Sequence, residues 1–188
     1  TGAQGARMVL DSAGLTDVDI EVGGSTLSDH YDPRTRTLSL SPAVGNSNSL
    51  AALGVAAHEA GHAIQHAQGY AAFRLRSAMV PVANIGTNLG LILFVVGIIL
   101  ASYSGNSLLM NIGIVLYAAA VLFTLVTLPV EFNASRRAMA ELQNRSILVA
   151  DELTGARKVL SAAALTYVAA ALSAILTLLR LILISRRD

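Results

Sequence analysis

The feature that most constrains this chain is the stretch from 77 to 130, which contains no Asp, Glu, Lys or Arg. Soluble domains average about one charged residue in four, and this chain has 13% charged and 54% hydrophobic residues. The charge-free stretch is long enough for two membrane spans of about 20 residues each. The spans are expected at roughly 80–103 and 108–130. The short uncharged link Ser104-Gly105-Asn106-Ser107 suits a tight helical hairpin. A third span is expected at 161–184. Arg180 interrupts it close enough to the end to snorkel toward lipid headgroups.

What precedes the spans is different in kind. Residues 1–48 read as a small soluble α/β segment. Apolar positions recur at helical spacing over 5–13, and Gly14 is placed to stop that helix. An alternating stretch at 18–22 runs into Gly23-Gly24. Asp32-Pro33-Arg34-Thr35 signals a turn, and 35–41 alternates as a strand with Leu38 and Leu40 on one face. Asn46-Ser47-Asn48-Ser49 offers helix caps before an Ala-rich helix from Leu50 through at least Gln68. Gly69 loosens or ends it, and a second helical stretch at 73–76 leads to the membrane boundary.

The organisation expected is therefore 1–48 soluble, 49–79 helical, 80–130 a transmembrane hairpin, 131–160 helical, and 161–188 a third span with a basic tail. The helix after the hairpin is polar and is expected over 131–152. The fold class is a mainly α membrane protein, with about three transmembrane helices and a small α/β segment ahead of them. Residues 1–15 lack the apolar core of a signal peptide. Because the chain opens at Thr1 without an initiating Met, upstream sequence, and with it a further span, is expected. There is no cysteine, which excludes disulfides and thiolate ligands. The net charge of +1 says nothing about partners, and no basic patch with interleaved aromatics points to nucleic acid, so none is expected as a partner.

The Ala-rich helix carries Ala57-His58-Glu59-Ala60-Gly61-His62-Ala63, an HExxH sequence. Residues four apart share a helix face, so His58 and His62 can present imidazole nitrogens to one Zn²⁺. Glu59 then lies beside the metal, where its carboxylate can take a proton from water that the zinc has acidified. A chance match on an exposed helix is the bland alternative. Against it, the helix is otherwise apolar, and two His and a Glu buried there are costly without a partner.

A third ligand is needed, and three candidates arise. His66 continues the same face but stands about 12 Å from His58 along an unbroken helix, too far to share one ion. The extended HExxHxxGxxH pattern fails as well, since position 68 is Gln. His30, in the soluble segment, stays open because nothing places it. Glu131 has the best topological case. Two crossings return the chain to the side of the HExxH helix, and Glu131 is the first charged residue it meets there. The alternative for Glu131 is an acid favoured by the helix dipole in a first turn.

Together, Leu27-Ser28-Asp29-His30-Tyr31-Asp32-Pro33-Arg34-Thr35, Ala56 through Gln65, Leu128-Pro129-Val130-Glu131-Phe132-Asn133-Ala134-Ser135-Arg136-Arg137-Ala138 and Gly155-Ala156-Arg157-Lys158-Val159-Leu160 resemble the bacterial YugP-like neutral zinc metallopeptidases of membranes. The resemblance runs nearly the whole chain, and members of that family usually carry an N-terminal span as well. It implies a gluzincin-type site with His58, His62 and Glu131 as ligands to one zinc ion and Glu59 as general base. More distantly, 131–135 is similar to the glutamate motif of HtpX and CAAX-prenyl proteases, where an aspartate follows four residues after the Glu. Ser135 stands there instead, so a carboxylate bracing a ligand His is missing, and Asn133 stands where close relatives are expected to have Asp. Either departure is of the kind that weakens metal affinity or activity by about 10–100-fold.

Arg136 is a candidate stabiliser of the tetrahedral oxyanion; the plainer reading, preferred for Arg137, is a cationic interface anchor. His30 and Tyr31 are placed to assist from the loop, and the 35–41 strand to pair with an extended peptide, although local packing is the commoner role for each. Gly86 and Gly90 spell GxxxG, which permits close helix contact but is common in membrane segments. Arg74, Arg76, Arg136, Arg137, Arg145, Arg157 and Lys158 lie on the HExxH side, against Arg186 and Arg187 at the opposite end. The balance puts the site at the cytoplasmic face of the cell membrane. The function read from the sequence is a multi-pass zinc metalloendopeptidase acting on peptide or protein substrates near the bilayer. The competing reading is a non-catalytic zinc-binding scaffold or partner-binding subunit.

Overall fold

A computed structural model describes residues 1–25 and 28–186. Leu27 of the segment singled out above and Arg187 of the C-terminal basic pair lie outside the described residues. The elements in chain order are α1 (Gly2–Ser12), β1 (Asp19–Val22), β2 (His30–Asp32), β3 (Thr37–Leu40), α2 (Pro42–Gly45), α3 (Leu50–Ala67), α4 (Ala71–Ser104), α5 (Leu108–Asn144) and α6 (Ala150–Ser185). They divide into two units: Thr1–Arg74 with Val130–Leu165, and Leu75–Pro129 with Thr166–Asp188.

The first unit is built around α3. Thr1 and Gln4 form a capping box that starts α1. That helix turns Ala6, Val9 and Leu10, all fully buried, into the core. The sheet has strand order β1-β3-β2, with β1 parallel and β2 antiparallel to β3. Leu38 and Leu40 share one face of β3, as their alternation predicts, and both are fully buried. β3 is the middle strand, with both edges already paired, so it has no free edge for a peptide. The strand the sequence does not announce is β2. It is three residues long and holds His30 and Tyr31, which were expected in a loop.

α3 begins where Ser49 accepts a hydrogen bond from the Ala52 amide at 3.2 Å. It ends at Gly69, whose φ of 61° lets the Tyr70 amide turn back onto the Gln65 carbonyl at 3.0 Å. Its buried positions include Ala52, Gly54, Ala56, Ala57, Ala60, Gly61 and Ala63. Such small side chains let neighbouring backbones come close.

The helix expected to begin at Glu131 does not begin there. α5 runs unbroken through Pro129 to Asn144, so Glu131 lies in a helix interior. A dipole effect confined to the first turn does not explain a carboxylate in that place. The polar stretch breaks instead at 145–149, where Ser146 adopts a φ of 52°. α6 starts afresh at Ala150, with the Glu152 carboxylate accepting from the Val149 amide at 2.9 Å.

The second unit is helical. α4, α5 and α6 are each long and apolar enough to cross a membrane, and each keeps large apolar side chains exposed, among them Ile92, Val115 and Leu176. α4 and α5 meet through glycines. A Cβ at Gly86 would lie 2.6 Å from the Leu116 carbonyl oxygen, at Gly90 2.9 Å from the Tyr117 nitrogen, and at Gly97 2.3 Å from the Met110 nitrogen. The GxxxG pair thus belongs to a longer small-residue seam within the hairpin. Phe94, Met110, Tyr117, Val121 and Leu181 form the buried cluster of this unit.

Candidate metal centre

His58 and His62 lie one turn apart on α3 and are 8% and 5% exposed, while Glu131 on α5 is 2% exposed. The Oε2 atom of Glu131 is 2.9 Å from His58 Nε2 and 3.5 Å from His62 Nε2. Glu59 is partly buried and offers a carboxylate oxygen within 4.8 Å of the ligand atoms of both histidines. All four residues lie in the first unit.

Gly61 brings the two helices together. A Cβ on Gly61 would stand 2.5 Å from the Ala134 carbonyl oxygen and 3.1–3.2 Å from the neighbouring backbone carbons. Only a residue without a side chain permits this approach, and the contact sits beside both Glu131 and Ser135. Gly61, inside the HExxH sequence itself, therefore seats α5 against the histidine face.

The outer ring nitrogens are held as well. His62 Nδ1 is 3.0 Å from Gln65 Oε1, and Gln65 Nε2 donates to the Val130 carbonyl at 2.8 Å and to Asn133 Oδ1 at 2.9 Å. Arg137 Nε donates to that same Asn133 oxygen at 2.7 Å, and its other arm reaches Gln68. A guanidinium can only donate, so the Asn133 atom facing it is the oxygen. The Gln65 atom facing Asn133 is then the amide nitrogen, and the one facing His62 is the acceptor. The proton of a neutral His62 must therefore sit on Nδ1, leaving the Nε2 lone pair turned toward Glu131. His58 Nδ1 meets Ser135 Oγ at 3.0 Å, and a rotatable hydroxyl can accept its proton in the same way.

This arrangement provides a test of fit for a metal. With His62 neutral, a lone pair and a carboxylate oxygen face each other, which is unfavourable unless positive charge lies between them. The donors present, two imidazoles and carboxylates without thiolates, are ligands zinc takes. Ligand atoms about 2 Å from a tetrahedral zinc stand roughly 3.3 Å apart, close to the separations seen here. The residues fit a divalent cation.

The other candidates fall into place around this cluster. His66 does not join it; its Nδ1 is 2.9 Å from the Tyr31 hydroxyl, and Phe73 lies 5.9 Å from both the His62 and His66 rings. Burial pushes the Tyr31 phenol above its ordinary pKa, opposed by Arg36 and aided by Asp17 and Asp32. His30 is exposed, with its Nδ1 on the Ser28 carbonyl at 2.7 Å. Arg137 is tied to Asn133 and lies 5.8 Å from the Tyr70 ring centroid, so it works inside the unit rather than as a free anchor. Arg136 lines a groove between α5 and α6. Sequence reasoning missed Gln65, although an amide three residues after the second histidine, on the same helix face, was a usable signal.

Comparison with known proteins agrees with this chemistry. A family model described as "Putative neutral zinc metallopeptidase" matches residues 1–186. The "Putative membrane protease YugP" of Bacillus subtilis (strain 168) is 47% identical over 184 residues, covering 98% of this chain and 80% of that protein. No solved structure matches the chain.

Proposed function

The chain belongs to this zinc metallopeptidase family, and from that premise we propose that it is a multi-pass membrane metalloendopeptidase. In this reading it hydrolyses peptide bonds near the cytoplasmic surface of the bilayer. The observation that carries the proposal is the convergence of His58 Nε2, His62 Nε2 and Glu131 Oε2 in a nearly dry site. His58, His62 and Glu131 would hold one zinc ion. The chemistry such an ion supplies when bound is Lewis acidity, which polarises a carbonyl and lowers the pKa of water to about 7.

The chain's own residues do the rest. Glu59 accepts the proton of the attacking water on its carboxylate and later delivers it to the leaving amide nitrogen. Water's oxygen bonds to the scissile carbon, the C–N bond breaks, and an amine and a carboxylate leave. Gln65 and Ser135 hold the two imidazoles, with Asn133 orienting Gln65 from behind. Asn133 and Ser135 are the departures that motivate a scaffold reading. Ser135 bonds His58 directly and Asn133 reaches His62 through Gln65, so neither departure leaves a histidine without a bracing partner. Arg74, Arg76, Arg136, Arg137, Arg145, Arg157 and Lys158, against a hairpin link without charge, favour the cytoplasmic side.

The test is metal content and proteolysis measured together. Purified protein should carry about one zinc and degrade an unfolded casein substrate, and Glu59→Gln should abolish cleavage while keeping the zinc. Undiminished proteolysis by that variant refutes the proposed base.

A further inference from the structure

The groove between α5 and α6 in the first unit encloses about 530 Å³, within the range of ligand-sized cavities. Phe132, Met139 and Leu160 give it apolar walls, and Arg136 and Arg157 both line it. Three arginines elsewhere in this unit pair with carboxylates: Arg7 with Asp11, Arg34 with Asp32 and Arg36 with Asp17. Among the described residues, Arg136 and Arg157 have no such partner. Both are solvent-exposed, and two guanidinium groups beside one partly apolar groove give it a charge complementary to an anion.

The groove also has a defined relation to the metal centre. Ser135 lines it, and the Oγ of the same residue meets His58 Nδ1 at 3.0 Å. One wall of the groove is thus a single hydrogen bond from a proposed zinc ligand. The groove adjoins the centre from the Nδ1 side of His58, away from the nitrogen turned to Glu131, the place of a subsite for a neighbouring residue of a peptide rather than for the scissile bond.

We propose that this groove is a substrate subsite that selects peptides carrying a carboxylate next to an apolar side chain. Arg136 and Arg157 take the carboxylate, and the apolar walls take the neighbouring side chain. This rests on the peptidase reading above and deepens it. It also gives Arg136 a role in recognition rather than at the reacting carbonyl. The carboxylate can come from an internal Asp or Glu or from a peptide C-terminus, and the same chemistry recognises both.

The test uses full-length protein in neutral detergent micelles. Three peptides of identical apolar sequence are compared: one with an internal Glu and an amidated C-terminus, one with Gln and an amidated C-terminus, and one with Gln and a free C-terminus. Binding is read by fluorescence anisotropy in the Glu59→Gln protein, which needs no turnover, and cleavage is read in the wild-type background. At least one carboxylate peptide should bind about 10-fold more tightly than the doubly neutral one. Which of the two does so identifies the source of the carboxylate. The cleavage preference should appear in KM. In Arg136→Gln/Arg157→Gln, and in part in Arg157→Gln alone, the ratio should fall toward one while zinc content and thermal midpoint stay at wild-type values.

Equal binding of all three peptides overturns the proposal, as does a ratio that survives in the double variant. An equal loss of kcat on every peptide also overturns it and returns Arg136 to the transition state. If phosphatidylglycerol, but not phosphatidylcholine, occupies the groove and the double variant loses lipid rather than peptide, the site belongs to headgroups. Absence of cleavage from every peptide, with binding selectivity intact, refutes the peptidase reading and leaves the anion site standing.

Discussion

Replacing Gly61 by Ala is the most informative single change, because one methyl group probes both the packing and the metal geometry. The added Cβ would lie 2.5 Å from the Ala134 carbonyl oxygen, roughly 1 Å short of ordinary contact. The obstacle is backbone, so it cannot rotate away as a side chain would. Overpacking of this kind costs about 1–3 kcal/mol. Ala is a better helix former than Gly by about 1 kcal/mol, which offsets only part of that cost. The net expectation is destabilisation of up to about 2 kcal/mol.

The effect on metal binding should be more telling. α5 must shift by a large fraction of an ångström, and it carries Glu131 within one turn of Ala134. A zinc site tolerates about 0.2 Å in its ligand distances. The flexible Glu131 side chain recovers some of the displacement, so affinity should weaken by about 30-fold, equivalent to roughly 2 kcal/mol. Competition against a chelating zinc indicator in detergent measures this directly, with thermal unfolding run alongside. Gly61→Ala with zinc affinity within twofold of wild type would refute the claim that the Gly61–Ala134 contact sets the metal geometry.

Two further outcomes follow from the same region. Gln65→Leu removes the acceptor for His62 Nδ1 and should weaken zinc binding by about 10–100-fold; zinc affinity within twofold of wild type would show that Gln65 does not orient the ring. Removing zinc with a chelator should lower amide protection in α3 and in α5 around Glu131, since a ligand present at 1,000 times its Kd adds about 4 kcal/mol. Unchanged hydrogen exchange in those helices on chelation would count against a metal that bridges them.

Much of this was legible in the sequence, and the limits have physical causes. The charge-free stretch 77–130 marks the apolar helices, because no other environment tolerates so long a run. The four-residue spacing of His58 and His62 likewise fixes their shared face. The break expected at Glu131 was wrong because the appearance of charge was read as a helix start. Charge reports solvent environment, and the backbone of α5 continues regardless of it. β2 was missed because three residues carry too little alternation to be seen. Gln65, Asn133 and Arg137 could not be linked from sequence, since they join positions some 65 residues apart and the link depends on how closely α3 and α5 approach. Gly61 permits that approach, yet in the sequence it occupies an unconstrained position of the HExxH pattern and carries no signal of its own.

The neutral residues at 133 and 135 bear on what kind of centre this is. With zinc held by His58, His62 and Glu131 as proposed, two neutral imidazoles and one carboxylate leave a divalent ion with one net positive charge. An aspartate at 135, facing the His58 ring, would cancel more of that charge and make the imidazole a stronger donor. Ser135 accepts the same proton without adding negative charge, and the chain behind His62 ends in the cation Arg137 rather than an acid. Both imidazoles are thereby oriented but remain weaker donors. Such a centre would hold its metal less tightly and leave it more electrophilic. Orientation and donor strength are separable contributions of a bracing residue, and with the proposed ligand set Gln65 and Ser135 would supply the first without the second.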